Sequence, residues 1–180
     1  MDAQRALLKH FLAAIAYRTQ KALRGAPDSF ACFKAGVNAR TPHEIIWHMT
    51  GVLGYARTFF QPGVWQPDRL DAFGDEIRRF HRVLEDLGSL LEHETLCNGI
   101  ALEQLLQGPL ADAMTHVGQL AMLRRLAGSP VPSENFIYAT ILAANLGPDQ
   151  ATPAAPDPSW NPDLPPPAPG VGLPEDWYQK

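Results

Sequence analysis

The chain has few cysteines, and they are not spaced as a pair. Cys32 and Cys97 lie far apart, without a Cys-x-x-Cys pattern. This excludes a scaffold held by disulfides and is typical of a protein from a reducing compartment. Both thiols are predicted to be inert small apolar groups rather than nucleophiles.

Strong positive charge and long apolar runs are also absent. The formal net charge is -4, which provides no basic surface for nucleic acid. Lys9 and His10 interrupt the apolar run at the amino terminus, which is too short to span a bilayer and has no small-residue cleavage site after it. We therefore expect a soluble, cytoplasmic protein that has neither a membrane nor a nucleic acid as partner.

The chain does have apolar residues at helical spacing through most of its first 146 positions. They predict a first helix over about residues 2–23. Thr41, Pro42 and Glu44 form the sequence pattern of a capping box, so a second helix should begin there and run to about Phe60. The stretch between these helices, residues 25–40, is predicted to be irregular.

Two further long helices follow from the same periodicity. The third, with Asp68 as its predicted N-cap, has apolar residues at alternating steps of three and four: Leu70, Phe73, Ile77, Phe80, Leu84, Leu87 and Leu91. The fourth should start at Gly108-Pro109, after a short helical lead-in over 101–107, and end near Ala127. Ser133 is the predicted cap of a short fifth helix that ends near Gly147. Residues 1–147 are therefore predicted to form an all-α, antiparallel four-helix bundle with a short extra helix.

Proline dominates the rest of the chain, since ten of the 17 prolines follow Gly147. Residues 148–180 can therefore form neither helix nor sheet. One interpretation is a disordered tail. The interpretation that we favour is an extended tail that packs on the bundle or on a partner chain through Trp160 and Trp177, because aromatic residues are uncommon in disordered segments.

Polar residues interrupt the apolar stripes of two helices. Steps of four and three along the fourth helix give Asp112, His116, Gln119, Leu123 and Leu126, and the second helix gives Ile45, His48, Val52, Tyr55 and Phe59. Residues four apart share a helix face, so Asp112 and His116 can bind one ion together, with His48 as a third ligand from a packed neighbour. Three protein ligands and one open position are typical of a catalytic metal site, and this ligand set suits zinc, nickel, manganese or ferrous iron.

Other interpretations of these residues remain open. A histidine in an apolar stripe is often a hydrogen-bonded core residue. Asp112 could accept a hydrogen bond from His116, or its negative charge could simply interact with the positive end of the helix dipole in the first turn. A buried carboxylate, in contrast, would need a cation nearby. Gln119 could hydrogen-bond a ligand histidine or a metal-bound water.

The remaining candidates are weaker. Glu44 already has a capping role, and His43 points away from His48. His10, His81 and His93 are predicted to lie on the surface. Arg124 and Arg125 occupy the last turn of the fourth helix, where a cation is favoured; binding an anionic substrate is the alternative.

The segments TPHEIIWHMTGVLGYA (41–56) and GPLADAMTHVGQLAMLRRLAG (108–128) resemble the DinB/YfiT-like superfamily over roughly residues 1–147. The resemblance implies a four-helix bundle with a divalent metal held by one ligand from the second helix and two from a late helix before a Gly-Gln pair. His48, Asp112 and His116 fall on those positions, although the commoner pattern has three histidines and Asp112 replaces one of them. It also implies a homodimer and, for some members, a transferase or isomerase that uses a small-thiol cosubstrate.

Two hypotheses of function follow. The first is a metal-dependent enzyme that activates a thiol for transfer or isomerisation, or a water for hydrolysis. The second is a non-catalytic protein of stress response that binds a metal or a small ligand. An open cleft at the three residues would favour the enzyme, and a sealed site would favour the binding protein. Residues 25–40 or the tail could cover the site.

Overall fold

The computed structural model describes residues 1–93 and 95–154, and this part of the chain is all-helical. The helices are α1 (Ala3–Leu23), α2 (Pro42–Arg57), α3 (Phe73–Glu92), α4 (Leu102–Leu105) and α5 (Ala111–Leu126). Short 3₁₀ turns occupy Asp28–Cys32 and Phe136–Tyr138, and a π-helical turn at Leu106–Leu110 joins α4 to α5. The all-α class is confirmed for these residues. None of their helices combines the length and the apolar character needed to cross a bilayer.

The start of α2 follows the capping pattern in the sequence. The Glu44 N–H donates to Thr41 Oγ1 at 3.2 Å, and the Thr41 N–H donates to Glu44 Oε2 at 2.8 Å. Pro42 occupies the first turn, where its missing N–H costs nothing. These contacts satisfy backbone donors that a helix start leaves unpaired. The residue at which α2 begins is therefore determined by the residues of its own first turn.

The four long helices pack around one apolar core. Helices α1 and α2 each pack against both α3 and α5. The most deeply buried large side chains come from every one of these helices, and they include Leu12, Ile15, Ile46, Met49, Leu53, Phe80, Leu84 and Leu120. Each such burial contributes roughly 1.5–3 kcal/mol, so this core holds the helices in place.

Helix α3 begins later than its apolar pattern indicates. Its N-cap is Ala72, not Asp68, and residues 61–72 approach it as an irregular segment. The carboxylate of the fully buried Glu76 accepts a hydrogen bond from the Leu70 N–H at 3.1 Å, and Arg79 donates to the Asp68 carbonyl at 2.9 Å. Side chains of the first helical turns therefore hold the preceding backbone in a non-helical path.

The helical path that ends in α5 also begins elsewhere than predicted. It starts at Leu102, and Pro109 lies inside the π-helical turn rather than at a helix start. Proline cannot donate a backbone hydrogen bond, and its ring displaces the carbonyl of the preceding turn. A wider π turn accommodates both effects, so the predicted lead-in and the fourth helix form one continuous path.

The predicted fifth helix is wrong. Between residues 133 and 147 the only helical element is the short turn Phe136–Tyr138. Side chains of α1 hold this segment instead: Tyr17 donates to Glu134 at 2.7 Å, and the Arg18 guanidinium lies 3.7 Å from the centre of the Phe136 ring.

The prediction that His81 lies on the surface is also wrong. Its side chain is buried in α3, and its Nδ1 lies 2.8 Å from the Leu146 carbonyl oxygen. Desolvation by burial lowers the pKa of this imidazole. The neutral ring donates Nδ1–H to that carbonyl and holds the backbone at Leu146 against α3.

The tail can be followed only at its beginning. Arg24 Nη2 donates to the carbonyls of Gln150 and Ala151 at 2.7 and 3.1 Å, so these residues lie against the end of α1. Residues 155–180 lie outside the described part of the chain. The docking of Trp160 and Trp177 therefore stays a prediction.

Arg124 has a structural role in place of the anion binding that we considered for it. Its side chain is buried, and its guanidinium donates to the backbone where α1 ends and to Ser129; the acceptors are the carbonyls of Ala22, Leu23, Arg24, Gly25 and Ser129 and the hydroxyl of Ser129. The last carbonyls of a helix have no partner within it. Arg124, which lies on α5, therefore supplies hydrogen-bond donors to the carbonyls at the end of α1.

We predict that Arg124→Met lowers the free energy of unfolding by about 2 kcal/mol, because buried carbonyls lose their donor. Urea denaturation followed by circular dichroism measures this change. Arg82→Met, which alters an exposed arginine of α3, is the matched control and should change the value by less than about 0.5 kcal/mol. Equal stability of the two variants would show that Arg124 does not cap α1.

Candidate metal centre

The packing of α2 against α5 brings the three candidate ligands together. His48 lies midway along α2, and Asp112 and His116 are one turn apart on α5. One ligand atom of each residue lies within 4.8 Å of those of the other two. The residues that the sequence places on two separate helices thus form one cluster in space.

The separations within this cluster fit a shared ion. His48 Nε2 lies 3.3 Å from Asp112 Oδ2, and His116 Nε2 lies 3.5 Å from Asp112 Oδ1. Metal–ligand bonds of about 2.0–2.2 Å place neighbouring ligand atoms of a tetrahedral site about 3.3–3.6 Å apart. Each histidine therefore stands at about this spacing from one oxygen of the Asp112 carboxylate, His48 from Oδ2 and His116 from Oδ1.

Gln119 orients one of the histidines. Its Oε1 lies 2.8 Å from His116 Nδ1, so it accepts the hydrogen bond that Nδ1–H donates. In the neutral form of this ring the lone pair is then on Nε2, which faces Asp112. Fixing the tautomer of a ligand histidine in this way is a common feature of metal sites.

Electrostatics keeps His48 in the form that binds metals. Burial lowers the pKa of its imidazole, and the charges of Arg40 and His116 lower it further, while Asp112 opposes them. A neutral imidazole is the ligand form, so a lowered pKa reduces competition from protons.

The cluster lies at the edge of the core rather than inside it. The side chain of His116 is 9% exposed, that of His48 is 30% exposed and that of Asp112 is 44% exposed. The buried stripe of α2 is displaced from the predicted one and contains Ile46, Met49, Leu53 and Ala56. The prediction that the candidate ligands occupy the buried stripes is therefore confirmed for His116 and only half right for His48 and Asp112.

The exposure of Asp112 removes one energetic reason to expect a cation beside it. A half-exposed carboxylate keeps part of its hydration, so Asp112 does not require a cation to offset desolvation. Hydrogen bonding accounts for one contact of the cluster, since His48 Nε2 lies 3.3 Å from Asp112 Oδ2, whereas the 3.5 Å between His116 Nε2 and Asp112 Oδ1 exceeds the usual range of about 2.7–3.2 Å. An open side would, however, let solvent and small molecules reach the three residues.

Other residues that the sequence singled out do not join the cluster. Glu44 serves in the capping box, and its pKa is lowered by the hydrogen bonds it accepts from Thr41. His43 is buried against Phe73, with ring centroids 5.4 Å apart. Cys97 is half-buried, and burial raises the pKa of its thiol, which disfavours the reactive thiolate.

Two clefts beside His48 have no counterpart in the sequence pattern. The cationic cleft, of about 290 Å³, is lined by Lys34, Asn38, Arg40, Glu44, Trp47 and His48 together with Val37 and Ala39. The aromatic cleft, of about 430 Å³, is lined by Trp47, His48, Tyr55, Trp65 and Pro67 together with Gly51, Val52, Gln66 and Asp68. Both depend on irregular segments, 34–40 and 65–68, whose course no helical period predicts. Part of residues 25–40 thus lines a cleft with His48, and the covering of the site by this stretch stays a prediction.

We predict that His48 of the metal-free protein titrates below the ordinary pKa of a histidine, because burial disfavours the imidazolium. NMR titration of the histidine ring signals measures this value. Asp112→Asn should lower the pKa of His48 further, and Arg40→Gln should raise it, since these changes remove a stabilising and a destabilising charge. Shifts in the opposite directions would show that the residues are not arranged as described.

Comparison with known proteins adds no relative. No protein-family model, no curated protein and no solved structure matches this chain. The resemblance to the DinB/YfiT-like superfamily therefore depends on the two quoted segments and on the three residues that they contribute.

Proposed function

We propose that His48, Asp112 and His116 bind one divalent metal ion, and that the chain is a metal-dependent enzyme of the DinB-like kind. The observation that carries this proposal is the convergence of three ligand-type side chains from two helices, with their donor atoms within 4.8 Å of one another. The hydrogen bond between Gln119 and His116 Nδ1 supports it, because it leaves the Nε2 side of the ring towards Asp112.

The pairing of the helices is consistent with the bundle that the resemblance implies. Each of the four long helices packs against two of the others, as in a four-helix bundle, and we propose an antiparallel arrangement. One proposed ligand comes from the second long helix and two come from the last. Asp112 lies at a position where the resembled family more commonly has a third histidine. Its carboxylate adds a negative charge to the site, and this charge favours binding of a dication.

The open edge of the cluster favours an enzyme over a binding protein. When bound, a divalent ion supplies Lewis acidity, which favours the deprotonated form of a thiol or a water molecule. His48, Asp112 and His116 would hold the ion, and Gln119 would hold His116. The two clefts beside His48 give a substrate room to approach, whereas a purely structural metal site is normally closed by four protein ligands.

The resemblance directs us to a small thiol as cosubstrate, with transfer or isomerisation as the reaction and hydrolysis as the alternative. The ligand set leaves zinc, nickel, manganese and ferrous iron as candidate metals. The homodimer that the resemblance also implies stays a prediction, which sedimentation equilibrium would test.

We predict that the untagged protein binds one equivalent of at least one of these four metals, as measured by isothermal titration calorimetry and elemental analysis. His48→Ala and His116→Ala should lose the ion, because two ligands do not retain it. Asp112→Asn should weaken binding by removing the negative charge. His10→Ala, which changes an exposed histidine of α1, is the control and should bind like the wild type. Equal metal content in all variants, or none in the wild type, contradicts the site.

The role of Gln119 gives a graded prediction. Gln119→Met removes the acceptor for His116 Nδ1–H but keeps the size of the side chain, so metal affinity should fall by about 10–100-fold without a change in stoichiometry. Gln107→Met, at an exposed position before α5, should leave the affinity unchanged. Unchanged affinity in Gln119→Met would mean that this hydrogen bond does not orient a ligand.

The reaction can be tested with an electrophile and a thiol. Metal-loaded protein should accelerate the reaction of a chloronitrobenzene or maleylpyruvate with glutathione, mycothiol or bacillithiol, and His48→Ala and His116→Ala should abolish the acceleration. Product formation is followed by absorbance. If the loaded protein accelerates none of these reactions and hydrolyses no simple ester or amide, a non-catalytic binding protein becomes the better interpretation.

A further inference from the structure

We propose that the cationic and aromatic clefts together form the substrate site, and that they bind an organic anion with an aromatic or otherwise apolar body. The body would lie in the aromatic cleft and a carboxylate in the cationic cleft. This inference deepens the proposed function by naming its substrate class, and it rests on that function only for the claim that the bound molecule reacts. The residues that are proposed to select the ligand lie outside the metal cluster.

The aromatic cleft has the size and the walls of a small-molecule site. Its volume of about 430 Å³ lies within the range of known ligand pockets. Trp47 and Tyr55 line it although they are 39% and 57% exposed, respectively. Exposed aromatic rings gain free energy when an apolar group covers them, so this surface favours an apolar ligand.

The aromatic cleft is also preformed. Trp47 Nε1–H donates to the Pro67 carbonyl at 3.0 Å, which ties one wall to the loop that forms the other. Trp65 packs so closely on Gly54 that a Cβ at this position would overlap its indole ring, and the Arg57 guanidinium lies 4.8 Å from the Trp65 ring centre. A ligand would therefore meet walls already in place, which lowers the entropic cost of binding.

The cationic cleft supplies a receptor for a carboxylate. Lys34 and Arg40 line it, and among the described residues Arg40 forms no ion pair with a carboxylate. Glu44, the acidic residue of this cleft, already accepts two hydrogen bonds from Thr41. A guanidinium can donate two parallel hydrogen bonds to a carboxylate, so Arg40 has the chemistry to bind one.

The position of the two clefts links them to one ligand. Both are lined by Trp47 and His48, which are consecutive residues of α2. A molecule that extended from one cleft into the other would therefore pass His48, the cluster residue that lines both of them. An inorganic anion or an uncharged hydrocarbon would use only one cleft, whereas an aromatic carboxylate uses both.

Calorimetric titration with 2-naphthoate tests this inference on the full chain, both metal-free and after metal loading. Acetate and 2-naphthalenemethanol are the probes that lack the apolar body and the charge, respectively. We expect 2-naphthoate to bind at least about tenfold more tightly than either, because it gains both interactions. Arg40→Gln should lower the affinity for 2-naphthoate by about tenfold and leave the affinity for 2-naphthalenemethanol unchanged. Tyr55→Ala should lower the affinity for both.

Matched controls and the metal titration separate the possible failures. Arg82→Gln and Tyr138→Ala change an exposed arginine and an exposed tyrosine that line neither cleft, and they should bind 2-naphthoate like the wild type. Absence of 2-naphthoate binding, or the same affinity in Arg40→Gln and Arg82→Gln, overturns the substrate class. If 2-naphthoate binds as expected but no metal does, the substrate site stands and the proposed metal chemistry is wrong.

Discussion

The packing of α2 against α5 is the contact on which the site depends. Neither helix holds a complete set of ligands, because His48 comes from one helix and Asp112 and His116 come from the other. The helices stay together because both contribute to the same apolar core, through Met49 and Leu53 on α2 and Ala113 and Leu120 on α5. Apolar burial thus sets a separation of 3.3 Å between His48 Nε2 and Asp112 Oδ2, which the polar groups could not hold by themselves.

The site lies on the border between this core and solvent, and its properties follow from that position. His116 faces inward and is fixed by Gln119, while Asp112 faces outward and keeps part of its hydration. A ligand set buried completely would be rigid but closed, and one exposed completely would lack orientation. At this border one histidine, His116, is held by Gln119 and the other, His48, lines two clefts, and the proposed enzyme would use both features.

The features that were predicted correctly from the sequence are those that depend on residues close together in the chain. The capping box of α2, the apolar period of α3 from Phe80 to Leu91 and the spacing of Asp112 and His116 all act within a few residues, so the sequence carries them directly. Four-residue spacing on one helix and an interrupted apolar stripe on another were sufficient to select the three residues of the cluster.

Contacts between distant residues account for what the sequence did not predict. Glu134 accepts a hydrogen bond from Tyr17 on α1, and His81 on α3 donates one to the Leu146 carbonyl, so the chain between residues 133 and 147 depends on partners far away in sequence. The two clefts have the same origin, since Arg40 and Trp65 lie in irregular segments that pack beside α2. Helical periodicity contains no information about these segments.

The central claim is that the three side chains share one ion, and anomalous X-ray diffraction from metal-loaded crystals tests it most directly. Data collected on both sides of the absorption edge of the added metal locate the ion without reference to any assumed chemistry. The account predicts a single anomalous peak at about 2.0–2.2 Å from His48 Nε2, an Asp112 carboxylate oxygen and His116 Nε2. A peak at another place in the chain, or one bonded to α5 but not to His48, would contradict it.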